Sequence, residues 1–80
     1  MTSAPGDLRI QLGERCRALR KKCGLSQLDV VRHFDFSLSH YQKIERGVLD
    51  PRLSTLAKLA EVYGVSLSVL LKGVGSAPAT

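Results

Sequence analysis

Apolar residues recur at every third or fourth position through the middle of this 80-residue chain, and short polar or glycine-containing breaks divide the pattern into helix-sized pieces. Leu12, Cys16, Leu19 and Cys23 fall at i, i+4, i+7 and i+11, one stripe along a first helix that Gly24 stops, with Arg15, Arg17, Lys21 and Lys22 off the stripe. Ser26 is placed to cap a second helix over about residues 27–34, with Val30, Val31 and Phe34 turned inward. After a tight turn at "DFS", Ser37 caps a third helix, 38–46, whose inward residues are Tyr41 and Ile44 and which Gly47 ends. "VLDPR" reads as a loop, since Pro51 begins a turn but cannot continue a helix. Leu53, Leu56, Leu59, Ala60 and Tyr63 give a fourth helix over 53–63, ended by Gly64, and Ser66 caps a last short helix carrying Leu67, Leu70 and Leu71. The expected fold is all-α, a compact five-helix domain without a strand.

The two ends, "MTSAPGD" (1–7) and "GVGSAPAT" (73–80), offer little to bury and are expected to be flexible, leaving one domain over 8–72. A chain of this size buries only about 60% of its unfolded surface, so its stability is expected to come from tight helix packing and from a partner. Twelve basic and seven acidic residues give a net charge of +5, which suits a polyanionic partner.

Cys16 and Cys23 lie two helical turns apart, about 10 Å by the rise per residue, too far for an undistorted disulfide. They read as small buried apolar groups. A zinc site from Cys16, Cys23, His33 and His40 lacks any closely spaced ligand pair, so no metal and no cofactor is expected. Nothing resembles a nucleophile–base constellation, a phosphate-cradling glycine loop or a carboxylate pair in a cleft, so the expectation is not an enzyme. Reduced cysteines, no export signal and no apolar run near the roughly 20 residues of a membrane span point to the cytoplasm and to no membrane partner.

The second and third helices, joined by a three-residue turn, have the spacing of a helix-turn-helix. The outward positions of the third, Ser39, His40, Gln42, Lys43 and Arg46, are hydrogen-bonding groups rather than the Glu/Lys mixture of an ordinary solvated face. "GLSQLDVVRHFDFSLSHYQKIERG" (24–47), preceded by "LGERCRALRKKCGLSQ" and followed by "LDPRLSTLAKLAEVYGVSLSVLLKG", resembles the phage repressor and Cro family of bacterial transcriptional regulators. The likeness covers about residues 12–72, with "GLSQ", "KIERG" and "LAKLAEVYGVSLSVLL" its most distinctive pieces.

That resemblance implies a sequence-specific regulator of double-stranded DNA, a repressor, whose third helix lies in the major groove. Leu38, Ser39, Gln42 and Lys43 are then base-facing, with His40 nearer the rim. Gln27, Ser37, Arg46 and Arg52 face phosphate, and Gln27 also buttresses the recognition helix. Arg20, late in the first helix, pairs with Glu45 to brace the third against it. Leu38 has two other readings, a hydrophobic staple across the turn or a protein contact. His33 reads as a surface group.

Two positions depart from the family pattern. Val31 stands where alanine is usual, so the crossing is expected to widen slightly or Phe34 to repack, and Asp35 replaces the turn glycine and would enter the left-handed conformation. One such domain makes few base contacts, so a homodimer on a two-fold-related operator is expected, with Val65, Leu67, Val69, Leu70 and Val74, and also Leu71, at its interface. Val69 is the most telling of these, because the core stripe does not need it. The alternative from another class is an antitoxin or adaptor that uses the fold to hold a protein through Leu28, Leu38 and Leu49.

Overall fold

Helix caps divide the chain where the polar breaks had predicted. The computed structural model describes residues 5–33 and 37–75, with side chains from residue 8 onward. Its helices are α1 (Pro5–Lys22), α2 (Gln27–Val31), α3 (Leu38–Arg46), α4 (Leu53–Tyr63) and α5 (Leu67–Leu70), and no strand occurs among the described residues. Ser26, Ser37 and Ser66 each accept a backbone N–H three residues on, from Asp29, His40 and Val69. At Ser26 the cap is reciprocal, because the Asp29 carboxylate accepts the Ser26 N–H at 2.8 Å. Gly47 and Gly64 close α3 and α4 in the left-handed conformation, at φ +78° and +71°.

The core is one cluster. Leu12, Cys16 and Leu19 of α1 meet Val30, Tyr41, Ile44, Leu59, Ala60, Tyr63 and Leu70, all buried. The polar groups inside it are satisfied: the Tyr41 and Tyr63 hydroxyls lie 2.6 Å apart, and no buried side-chain nitrogen or oxygen among the described residues lacks a partner. Burial, the largest influence, pushes both phenol pKa values well above the ordinary range. Among the described residues no helix is long and apolar enough to cross a membrane, and no three of His, Cys, Asp and Glu gather as metal ligands would.

Several expectations are corrected. The first helix begins at Pro5, inside the segment expected to be flexible. The other expected tail does not leave the domain at 73: Val74 packs against the core and the Gly75 N–H donates to Gln11 Oε1 of α1 at 2.7 Å. α2 ends at Val31 instead of running to 34, and Arg32 and His33 are turn residues. Phe34, Asp35 and Phe36 lie outside the described residues, as do 1–4 and 76–80. Val31 is half-buried against the core. Cys16 is buried and its thiol pKa is raised to about 11 by burial, but Cys23 is exposed. Its Sγ is 3.3 Å from the Tyr63 carbonyl, so the last position of the α1 stripe lies at the rim of the core. Leu53, at the first position of α4 beside the 48–52 loop, is 67% exposed and does not share the buried face of Leu59 and Tyr63. Leu70 is fully buried, so its side chain belongs to the core and is not available to an interface.

Candidate nucleic-acid interface

An α-helix nine residues long can divide cleanly into two faces, and α3 does so. Tyr41, Ile44 and Glu45 are buried, while Ser39, Gln42, Lys43 and Arg46, related by three- and four-residue steps, form one exposed stripe opposite them. His40 is exposed beside the stripe and Leu38 is half-buried at its start. Ser37 caps the helix, its Oγ accepting the His40 N–H at 3.2 Å and keeping its own O–H to donate elsewhere. Arg52 is exposed at the residue preceding α4, where it makes no side-chain cap bond.

Beneath the stripe lies an ion pair that fixes the helix. Arg20 Nε donates to Glu45 Oε2 at 2.6 Å and Nη2 to Oε1 at 3.2 Å, a two-pronged bond across the α1–α3 contact. Arg20 Nη1 also donates to the Leu25 carbonyl at 2.9 Å, which ties the α1–α2 connection to the same guanidinium. Arg17 approaches Glu45 from the solvent side, at 3.7 Å. Burial alone would raise the Glu45 pKa; hydrogen bonds from Arg20, Tyr41 and Gln27 outweigh it and hold the carboxyl below its ordinary range. The group is therefore an anion inside the protein, and anions only accept hydrogen bonds.

That fact sets the direction of a chain of amides leading outward. Gln27 Nε2 donates to Glu45 Oε1 at 3.0 Å, so Gln27 Oε1 points the other way and accepts from Gln42 Nε2 at 3.2 Å. The Gln42 amide is thereby oriented with its carbonyl oxygen and its second N–H left for an outside partner. The sequence brought Gln27 and Gln42 to attention separately, and the structure joins them through Glu45.

Other contributors had no clear signal in the sequence. Arg15, off the apolar stripe, donates through Nη2 to the Val69 carbonyl at 2.8 Å and through Nε to the Leu70 carbonyl at 3.2 Å, clipping α5 to α1. Its type, a cation facing helix-terminal carbonyls, is the one a helix C-terminus favours, but its partner lies 54 residues away. The apolar residues expected at an interface separate by burial: Val65, Leu67, Leu71 and Val74 are half-buried against the core, while Val69 is 41% exposed. Beside Val69 and Val65 is a shallow depression of about 360 Å³, whose other walls include Arg15, Lys22, Cys23 and Tyr63.

The helix-turn-helix domain family matches residues 11–71, which span all of this geometry. The HTH-type transcriptional regulator DdrOP3 of Deinococcus deserti is 38% identical over 65 residues, covering 81% of this chain and 50% of its own. The immunity repressor protein of Bacillus phage phi105 is 33% identical over 60 residues, covering 75% of this chain and 42% of its own. The chain thus spans about half the length of the curated relatives it matches. The crystal structure of the restriction-modification controller protein C.AhdI from Aeromonas hydrophila superposes with a TM-score of 0.74 at 31% identity, covering 80% of this chain and 96% of that one. On the match over residues 11–71 and the fold it predicts, the chain belongs to the helix-turn-helix family of transcriptional regulators.

Proposed function

We propose that this protein acts in the cytoplasm as a sequence-specific repressor that reads the major groove of double-stranded DNA with α3, as a homodimer on a two-fold-related operator. The observation that carries this reading is the oriented chain Glu45–Gln27–Gln42, which holds a base-reading amide in one orientation before any ligand arrives. The free carbonyl and N–H of Gln42 match the N6 donor and N7 acceptor of adenine. Lys43 donates to guanine, Ser39 and His40 serve neighbouring base edges, and Leu38 presses a thymine methyl. Ser37, Arg46, Arg52 and the second amide N–H of Gln27 contact phosphate and set register.

The printed name of the phage relative, an immunity repressor, supports repression as the outcome. Val69, exposed on α5 beside the shallow depression, supports a dimer face there, with Val65, Leu67 and Val74 at its margin. Two copies would place their α3 helices on half-sites about one helical turn (~34 Å) apart. The rival role as a protein-holding antitoxin or adaptor has less to draw on: Leu28 is exposed, but Leu38 and Leu49 are half-buried, and Leu49 packs into the core.

Enrichment of duplexes from a randomised library by the full chain tests the proposal. It predicts a motif of two inverted half-sites with an adenine contact that disappears in Gln42→Ala. Enrichment without any common motif would contradict it.

A further inference from the structure

We propose that Gly13 of α1, with Gly47 as its counterpart on α3, is the positioning element that sets how deeply the recognition helix seats on the domain, and so whether its base contacts meet their targets. The inference rests on the DNA-reading role of α3 proposed above. Gly13 lies inside an 18-residue helix, where glycine is a poorer choice than alanine, and it is buried. What it provides is room. A β-carbon at Gly13 would lie 2.4 Å from the Glu45 carbonyl oxygen, 2.7 Å from that of Ile44 and 2.9 Å from the Glu45 carbonyl carbon. All three are backbone atoms of α3, so no side-chain rotation relieves the overlap. Opening the shortest contact to 3.0 Å requires α3 to move at least 0.6 Å from α1.

The second glycine reciprocates one turn away. A β-carbon at Gly47 would lie 2.7 Å from Ile10 Cα and 2.9 Å from Ile10 Cγ1, so the end of α3 rests on the α1 backbone just as α1 rests on α3. Two backbone-to-backbone seats, at Gly13 and at Ile10, fix the height and tilt of α3 where one would leave it free to pivot. The base-facing groups Gln42 and Lys43 lie between Ser37 and the Gly47 seat, while their phosphate-facing companions Gln27 and Arg52 are on other elements. Ser37 and Arg46 move with α3, so a displacement of α3 moves the base readers relative to the phosphate contacts at Gln27 and Arg52, and hydrogen bonds to base edges weaken steeply with such misplacement.

The test compares Gly13→Ala with wild type by fluorescence anisotropy on two probes, the duplex that the wild-type chain enriches most from a randomised library and a scrambled duplex of equal length. Both are measured well below the thermal midpoints, with circular dichroism confirming the helix content. Gly13→Ala is expected to bind the scrambled duplex as wild type does and to lose about tenfold or more in preference for the enriched one, the order of one base contact. An unchanged preference would overturn the inference while leaving the DNA reading intact.

If Gly13→Ala does not fold, Gly47→Ala and Gly64→Ala decide the matter. Both replace a left-handed helix-ending glycine at nearly the same φ, but only Gly47 meets a neighbour, for nothing lies within 4 Å of a β-carbon at Gly64. Loss of preference in Gly47→Ala with retention in Gly64→Ala supports the seat; equal behaviour overturns it. Should wild type itself show no preference between the probes, the reading of α3 fails, and thermal midpoints judge the seat alone. A midpoint of Gly13→Ala raised above wild type, as helix propensity by itself predicts, would overturn it, and a lowered one would support it.

Discussion

Arg20 and Glu45 meet across the α1–α3 contact with two hydrogen bonds, at 2.6 and 3.2 Å, and the Glu45 side chain has no exposure to solvent. A pair placed in this way fixes geometry more than it adds net stability, because desolvation offsets much of the attraction, whereas removing one partner strands the other. Arg20→Met should therefore cost about 3–5 kcal/mol in urea unfolding, and Arg20→Met with Glu45→Leu should recover most of it. A single substitution costing under about 1 kcal/mol would mean that water reaches the carboxylate.

The same carboxylate gives the protein an acid limit. Its pKa is lower in the folded chain than in the unfolded one, so the stability it contributes is present above the ordinary carboxylate range and is lost as pH falls through the folded value. Asp29, lowered by its hydrogen bonds with the Ser26 backbone and side chain, acts in the same direction. The thermal midpoint should fall as pH drops below about 4.3, and Glu45→Gln should flatten that fall. At the other extreme the buried Cys16 thiol, raised to about 11, favours the protonated folded state, so stability should decline as pH rises from the ordinary thiol range toward that value. An acid limb as steep in Glu45→Gln as in wild type would assign the acid sensitivity elsewhere.

Gln27 and Gln42 share one hydrogen bond, so their substitutions should not be independent in DNA binding. With Gln27→Ala the outer amide loses its anchor and rotates freely, and Gln42→Ala then removes a group already disordered. A double-mutant cycle on the enriched duplex should give a coupling of about 0.5–3 kcal/mol. Additive losses would reduce Gln27 to a separate phosphate contact.

Val69 is the large apolar residue that α5 leaves exposed, and it stands beside carbonyls already held by Arg15. If the proposed dimer forms through this face, Val69→Asp should be monomeric in sedimentation velocity, bind the operator more weakly, and lower the thermal midpoint only at concentrations where wild type is dimeric. A variant that stays dimeric would move the interface off α5.

The caps and stops made most of the fold legible: Ser26, Ser37 and Ser66 before apolar periodicity, and Gly47 and Gly64 after it, are local signals read one helix at a time. The local pattern is silent where a residue's fate depends on a distant element. Cys23 and Leu53 fit the apolar stripes of their helices, but nothing in α1 or α4 alone says where the neighbouring layer stops, and both lie at its edge. By its spacing alone Leu70 reads as surplus for an interface, yet the core absorbs it and leaves Val69 outside. Gly13 gave no signal, since a single glycine within a helix discloses its purpose only when the backbone of α3 is seen against it. The ion pair and the role of Gln27 came from family resemblance, while the Gln27–Gln42 bond needed coordinates, because the two residues lie 15 apart on different helices.

Fluorescence anisotropy of the full chain on its most enriched duplex and on a scrambled control, at low and near-physiological salt, tests the central claim most directly. A specific regulator should retain a preference of about a thousandfold or more at the higher salt, while binding to the control falls away steeply. Equal and equally salt-sensitive binding to both duplexes would contradict base reading by α3 and leave only a basic surface.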